Sequence, residues 1–256
     1  MKKIIAIFMM FTLSSAFSAE ITEKQMKEVS KKIIEEILLS SKLNGEYKST
    51  LKHHLEKLMY RNQVITLMTN IAKDKSVLSV ADAEKMGFNE MTALRDKSLL
   101  TLTSDDLLKL LMLNLEIMSV MTDYECAQYI KKKRTDEDGL GRSLYEISGN
   151  LNIKTFKNYV GYYEKAVDNL FSNKGNISRI SETELIQVKT EFEIRISELL
   201  ARDKFIREHF TTGKSFAEST NSDICRIGNE LLRVVVSGNV EEAKKRASAY
   251  INGQLY

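Results

Sequence analysis

Residues 103–121, Thr-Ser-Asp-Asp-Leu-Leu-Lys-Leu-Leu-Met-Leu-Asn-Leu-Glu-Ile-Met-Ser-Val-Met, decide the fold class. Thr103 ahead of Ser104, Asp105 and Asp106 is a helix start. A side-chain hydroxyl accepts from a free backbone N–H there, and the acids sit at the positive end of the helix dipole. From Leu107 to Met121 the clearly polar residues are Lys109, Asn114, Glu116 and Ser119. A helix apolar nearly all round is a buried one. This one is too short to cross a bilayer, which takes about 20 apolar residues, and it carries charges. It reads as the buried central helix, 107–121, of a globular all-α domain.

On the C-terminal side, Thr122-Asp123-Tyr124-Glu125 is a capping box, and Cys126 follows it at once. In a capping box the hydroxyl and the carboxylate three residues later satisfy each other's backbone N–H. The same signature returns at Ser181-Glu182-Thr183-Glu184, ahead of a stripe of Leu185, Val188, Phe192, Ile196 and Leu199. That pattern continues to Phe210 and predicts one rod of about 40 Å at 1.5 Å per residue. Ser222 reads as the cap of a helix carrying Cys225, Ile227, Leu231 and Val234 to Val236. Asn239 starts the last helix. Ile153, Phe156, Val160, Tyr163, Val167 and Leu170 form another stripe at three- and four-residue spacing. Tyr159 and Tyr162 flank it as boundary residues.

On the N-terminal side, Thr22-Glu23-Lys24-Gln25 caps a first helix. A second is expected from about Ser49 to Lys73 along Leu51, Leu55, Leu58, Ile65 and Met68. A third, from Ser79 to about Leu102, is expected to be interrupted near Gly87. Proline is absent from the chain, which removes the commonest helix breaker. These signals add up to an irregular bundle of about eight to ten helices.

The first 18 residues are of another kind. Lys2 and Lys3 precede the apolar run Ile4 to Leu13, and Ala16 and Ser18 place small residues where a signal peptidase reads. Residues 1–18 are therefore expected to be a cleaved signal peptide, with cut after Ser18. Residues 19–256 are expected to form a single all-helical domain working in the periplasm or outside the cell. The chain has two cysteines, Cys126 and Cys225, and an even count in an oxidising compartment predicts a disulfide.

Charge narrows the partners. Of 38 basic residues two, Lys2 and Lys3, lie in the signal, leaving 36 against 35 acidic residues. A nucleic-acid partner calls for a strong basic excess on one face, so none is expected. Nor does any segment after the signal suggest a membrane span.

The chemistry-bearing residues are few. His53 and His54 are adjacent, so on a helix they point about 100° apart and cannot share one metal as residues four apart do. The remaining histidine, His209, follows Glu208 at a helix end. No cofactor, no metal site and no catalytic set is expected from these patterns. The reading is a non-enzymatic exported protein that binds another protein, in the manner of an inhibitor or immunity protein against an envelope-acting toxin or hydrolase. An envelope hydrolase acting on peptidoglycan or lipid through carboxylates is the first alternative. A periplasmic chaperone or secretion accessory protein is the second. Loops carry function more often than their scaffold, and two polar, glycine-bearing segments stand out, 135–142 and 211–222. The first offers Asp136, Glu137, Asp138 and Arg142 as binding residues.

Overall fold

A computed structural model describes residues 23–73, 80–131, 144–175, 177–212 and 218–255. Among the described residues there are twelve α-helices and no strand. The described residues fall into two compact units, one within Met1–Ser98 and Phe156–Asn173, the other within Leu99–Thr155 and Lys174–Tyr256.

The first unit holds α1 (Glu23–Ser40), α2 (Gly45–Met59), α3 (Asn62–Lys73), α4 (Val80–Leu99) and, from Phe156 onward, α8 (Ile153–Phe171). α1 lies against α2 and α3. Met26 and Val29 of α1 meet Ile65 of α3 in a small core that Ile33 and Met68 extend. The single helix expected over 49–73 is two helices, broken at Tyr60 and Arg61. The apolar stripe explains the break. α2 buries Leu51, Leu55 and Met59, and a continuous helix would next bury position 62 or 63. Those are Asn62 and Gln63, and the buried residues resume at Val64 and Ile65. A turn of two residues resets the face. α4 runs through Gly87 without the expected interruption. The expected Thr22 and Ser79 helix starts lie outside the described residues.

The second unit holds α5 (Ser104–Ser119), α6 (Asp123–Ile130), α7 (Leu144–Ser148), α9 (Glu182–Arg202), α10 (Lys204–Thr211), α11 (Asn221–Val236) and α12 (Val240–Ile251). α5 packs on α12 and α11, and α11 also packs on α6. Thr103 caps α5 as its sequence predicts, accepting from the Asp106 N–H at 3.1 Å. The helix is less enclosed than expected. Lys109, Met112, Glu116 and Ser119 recur at three- and four-residue spacing on one open face, with Met112 50% exposed. Glu116 accepts from Thr155 Oγ1 at 3.3 Å. Asn114 faces the other way. It is buried, and its side-chain oxygen has no hydrogen-bond partner among the described residues.

The Cys126–Cys225 disulfide is present and joins α6 to α11, with the Cα atoms 5.3 Å apart. The same two helices meet closely at Gly228. A Cβ there would stand 2.2 Å from Ile130 Cδ1 and 2.8 Å from its Cγ1, so any larger residue would force the Ile130 side chain to move. α11 begins at a capping box of Thr220 and Asp223, two residues before the expected Ser222. Val234 to Val236 stay helical. The far end of α11 is closed by Arg246 of α12, whose side chain is fully buried. Its Nε donates to the Val235 carbonyl at 3.1 Å, Nη2 to the Ser237 carbonyl, and Nη1 to Glu191 Oε1 at 2.5 Å. Carbonyls left over at a helix end need donors, and one guanidinium supplies them.

The 40 Å rod expected from 181 to 210 is also two helices. Asp203 is extended (φ −111°, ψ 101°), and its carboxylate accepts from the Ile206 N–H at 3.1 Å. Arg226 of α11 donates to both carboxylate oxygens, at 2.8 and 3.1 Å, and stacks over Phe205 at 4.4 Å. A partner 23 residues away thus fixes the break.

Candidate functional site

α2 presents His54, Lys57 and, just past its end, Arg61 at spacings of three and four, so these cations and the imidazole share one face. α8 presents Glu164 and Asp168 four residues apart. The first unit brings the two faces together. His54 Nδ1 lies 3.2 Å from Glu164 Oε1. Lys57 Nζ donates to Glu164 Oε2 at 2.9 Å and also pairs with Asp168 Oδ2 at 3.1 Å. Arg61 donates to Asp168 and lies over the Phe171 ring at 5.5 Å. At the other end Lys157 Nζ pairs with Glu46 Oε1 at 2.5 Å, and the Tyr47 and Phe156 rings sit 5.3 Å apart. Partners advance together, 46 with 157, 54 with 164, 61 with 168, so α2 and α8 run in the same direction.

Between the two helices is a shallow, open depression of about 390 Å³, lined by Ser49, Thr50, His53, Val160, Gly161 and the Glu46–Lys157 pair, with Glu164 at its edge. Gly161 contributes by omission, since a Cβ there would meet no atom within 4 Å.

The electrostatics of this cluster decide what it can do. The hydrogen bond from His54 is the largest influence on the Glu164 carboxyl, with Lys57 helping and burial opposing, and together they pull it from 4.5 down to about 2. A carboxylate held that low stays ionised and is a weak base near neutral pH. His54 is only 4% exposed and spends a ring nitrogen on Glu164. His53 is exposed at the rim of the depression. The arrangement is a fastening of α2 to α8, with a polar hollow beside it.

Sequence reasoning set both histidines aside for their spacing and passed over Glu164, Asp168, Lys57 and Arg61. Their signal was a basic face on one helix and an acidic face on another. Nothing local says that helices about 110 residues apart meet. Tyr159, expected at the boundary, is packed in the core at 4% exposure with its ring 5.0 Å from that of Tyr163. Asp136, Glu137, Asp138 and Arg142, the expected binding residues, lie outside the described residues. So does 213–217 of the other expected loop.

Among the described residues no group of three His, Cys, Asp or Glu side chains is placed to hold a metal ion. None of their helices is long and apolar enough to cross a membrane. Compared with protein-family models, with curated proteins and with solved structures, the chain matches none.

Proposed function

We propose that this chain is exported under its N-terminal signal and acts in the periplasm, or outside the cell, as a non-enzymatic protein that binds another protein. Within that role we favour an inhibitor or immunity protein against an envelope-acting toxin or hydrolase. One observation carries the reading. In the cluster that comes nearest to an acid–base site, His54 is buried, the half-buried Glu164 is paired with both His54 and Lys57, and its carboxylate is too weak a base for proton transfer near neutral pH. The ion pairs of that cluster hold two helices together, as a binding scaffold requires. The Cys126–Cys225 disulfide is compatible with an oxidising compartment. The segment 135–142, with Asp136, Glu137, Asp138 and Arg142, remains a proposed binding element because acidic side chains on a loop speed association with a basic cleft.

The test is to crosslink the native exported protein in intact cells and isolate its complexes. The expected result is a stoichiometric complex with one envelope or secreted protein, whose toxicity or hydrolysis the chain suppresses. The reading is overturned if the chain forms no protein complex and instead releases soluble fragments from peptidoglycan or fatty acid from phospholipid, with loss of that activity in Glu164→Gln.

A further inference from the structure

The longest helix, α9, carries a surface that its own unit does not use. Thr183, Ile186, Thr190, Ile194, Ser197 and Ala201 recur at three- and four-residue spacing, and all six are exposed. Ile186 is 64% exposed and Ile194 55%. The stripe runs about 27 Å at 1.5 Å per residue. Its opposite side, with Val188, Phe192 and Leu199, is the one buried in the unit. Two of the three hydroxyls within the stripe donate back to their own helix. Thr190 Oγ1 donates to the Ile186 carbonyl at 3.0 Å, and Ser197 Oγ to the Glu193 carbonyl at 2.9 Å. Their single O–H donors are thus committed to the helix backbone and are not free for a partner.

The borders are acidic. At about 100° per residue, Glu182 and Glu193 lie along one edge and Glu198 along the other, each roughly 60–80° from the centre line. All three are exposed and have no ion-pair partner among the described residues. The neighbouring cations are turned elsewhere. Arg195 is paired with Glu191, Arg202 with Glu230, and Lys245 with Glu184. Lys189 lies farther round the helix than either acidic edge.

A single exposed isoleucine is ordinary. An uncharged row between two unneutralised acidic edges has complementarity to a definite shape and charge. From it we infer that the exposed face of α9 docks one amphipathic helix of a partner protein, whose apolar stripe is bordered by lysine or arginine. This inference rests on the protein-binding reading above and names the surface it uses. Helix-on-helix docking reads apolar anchors that recur on one face every one to two turns, and Ile186 and Ile194 supply two such anchors eight residues apart. An anionic membrane surface has the same sign as the rim. A second copy of the chain would set glutamates against glutamates.

The experiment uses the disulfide-intact mature protein and two helix-stabilised synthetic peptides of about 21 residues with the same isoleucine and leucine stripe, one bordered by lysines and one by glutamates. Binding is read by fluorescence anisotropy. The lysine-bordered peptide is expected to bind at least about tenfold tighter than its twin. Ile186→Ser with Ile194→Ser should weaken it by about tenfold or more, with helicity and melting temperature unchanged. Glu193→Lys with Glu198→Lys should reverse the preference between the peptides, and binding should fall from about 50 to about 500 mM salt. Equal binding of both peptides, or binding that neither pair of substitutions alters, overturns the inference. So does stripe-dependent dimerisation in sedimentation, or stripe-dependent binding to phosphatidylglycerol vesicles. If the native protein partner is retained at full affinity by the Ile186→Ser, Ile194→Ser protein, the α9 surface is refuted while the protein-binding reading stands. If no protein partner forms at all, both fall.

Discussion

Replacing Glu164 with glutamine tests whether the His54–Glu164–Lys57 cluster is a fastening. The fold lowers the Glu164 carboxyl from 4.5 to about 2, chiefly through the His54 hydrogen bond. A shift of 2.5 units at 1.36 kcal/mol per unit would be worth about 3.4 kcal/mol in a fully enclosed site. The Lys57 side chain is 37% exposed and that of Glu164 19%, so solvent screens the pair. An effect of about 2 kcal/mol remains after that discount. The sign follows from the direction of the shift. A carboxyl lowered by folding contributes stability that is complete above its unfolded value near 4.5, and that is lost as pH falls from there through about 2. Glu164→Gln should therefore be less stable than the natural protein by about 2 kcal/mol at pH 7, by less than half of that at pH 3, and by almost nothing near pH 2. Urea unfolding of both proteins across this range measures the difference directly. Other lowered carboxyls, such as Asp203, cancel in the subtraction. A gap that does not close on acidification would refute the electrostatic account. So would a Glu164→Gln protein of unchanged stability at pH 7.

Four further outcomes follow from named contacts. Reducing the Cys126–Cys225 bond, which closes a loop of 99 residues, should destabilise the protein by about 2–5 kcal/mol, and the denatured, unreduced protein should show no free thiol on titration. Arg246→Ala leaves the Val235 and Ser237 carbonyls without their buried donor, while Glu191 keeps Arg195, so a loss of about 2–5 kcal/mol is expected in chemical unfolding. Asn114→Leu removes a buried oxygen that has no partner among the described residues, and should raise stability by about 1–2 kcal/mol, seen as a higher melting temperature. Gly161→Ala adds a methyl group in open space within a helix and should stabilise by about 0.5–1 kcal/mol, while narrowing the depression beside His53.

Helix starts and the disulfide were legible in the sequence because their physics is short-ranged or leaves no choice. Thr103, Thr122, Ser181 and Asn239 cap their helices through bonds to residues two or three positions on, and those partners are written beside them. Two cysteines allow one pairing. The all-α class follows from the same local signals together with the absence of proline. The breaks were not legible. Asp203 is an acceptable helix residue until Arg226 and the Ile206 N–H claim its carboxylate. The stripe slip at Asn62 and Gln63 shows only once the core that Met26 and Val29 form with Ile65 fixes which face of α3 is inward. Composition placed the helix at 107–121 in the interior, but whether Met112 meets a neighbour or water depends on how many helices surround it. The candidate sites lie on that same side of the line. Lys57 and Glu164 are ordinary solvated residues in the unfolded chain, and only packing brings them to 2.9 Å. The stripe of Leu185, Val188, Phe192 and Leu199 already set Ile186 and Ile194 on the other side of α9, but only the tertiary structure decides that no helix among the described residues covers them. Local hydrogen bonding is set by neighbours in sequence, whereas burial and ion pairing are set by neighbours in space.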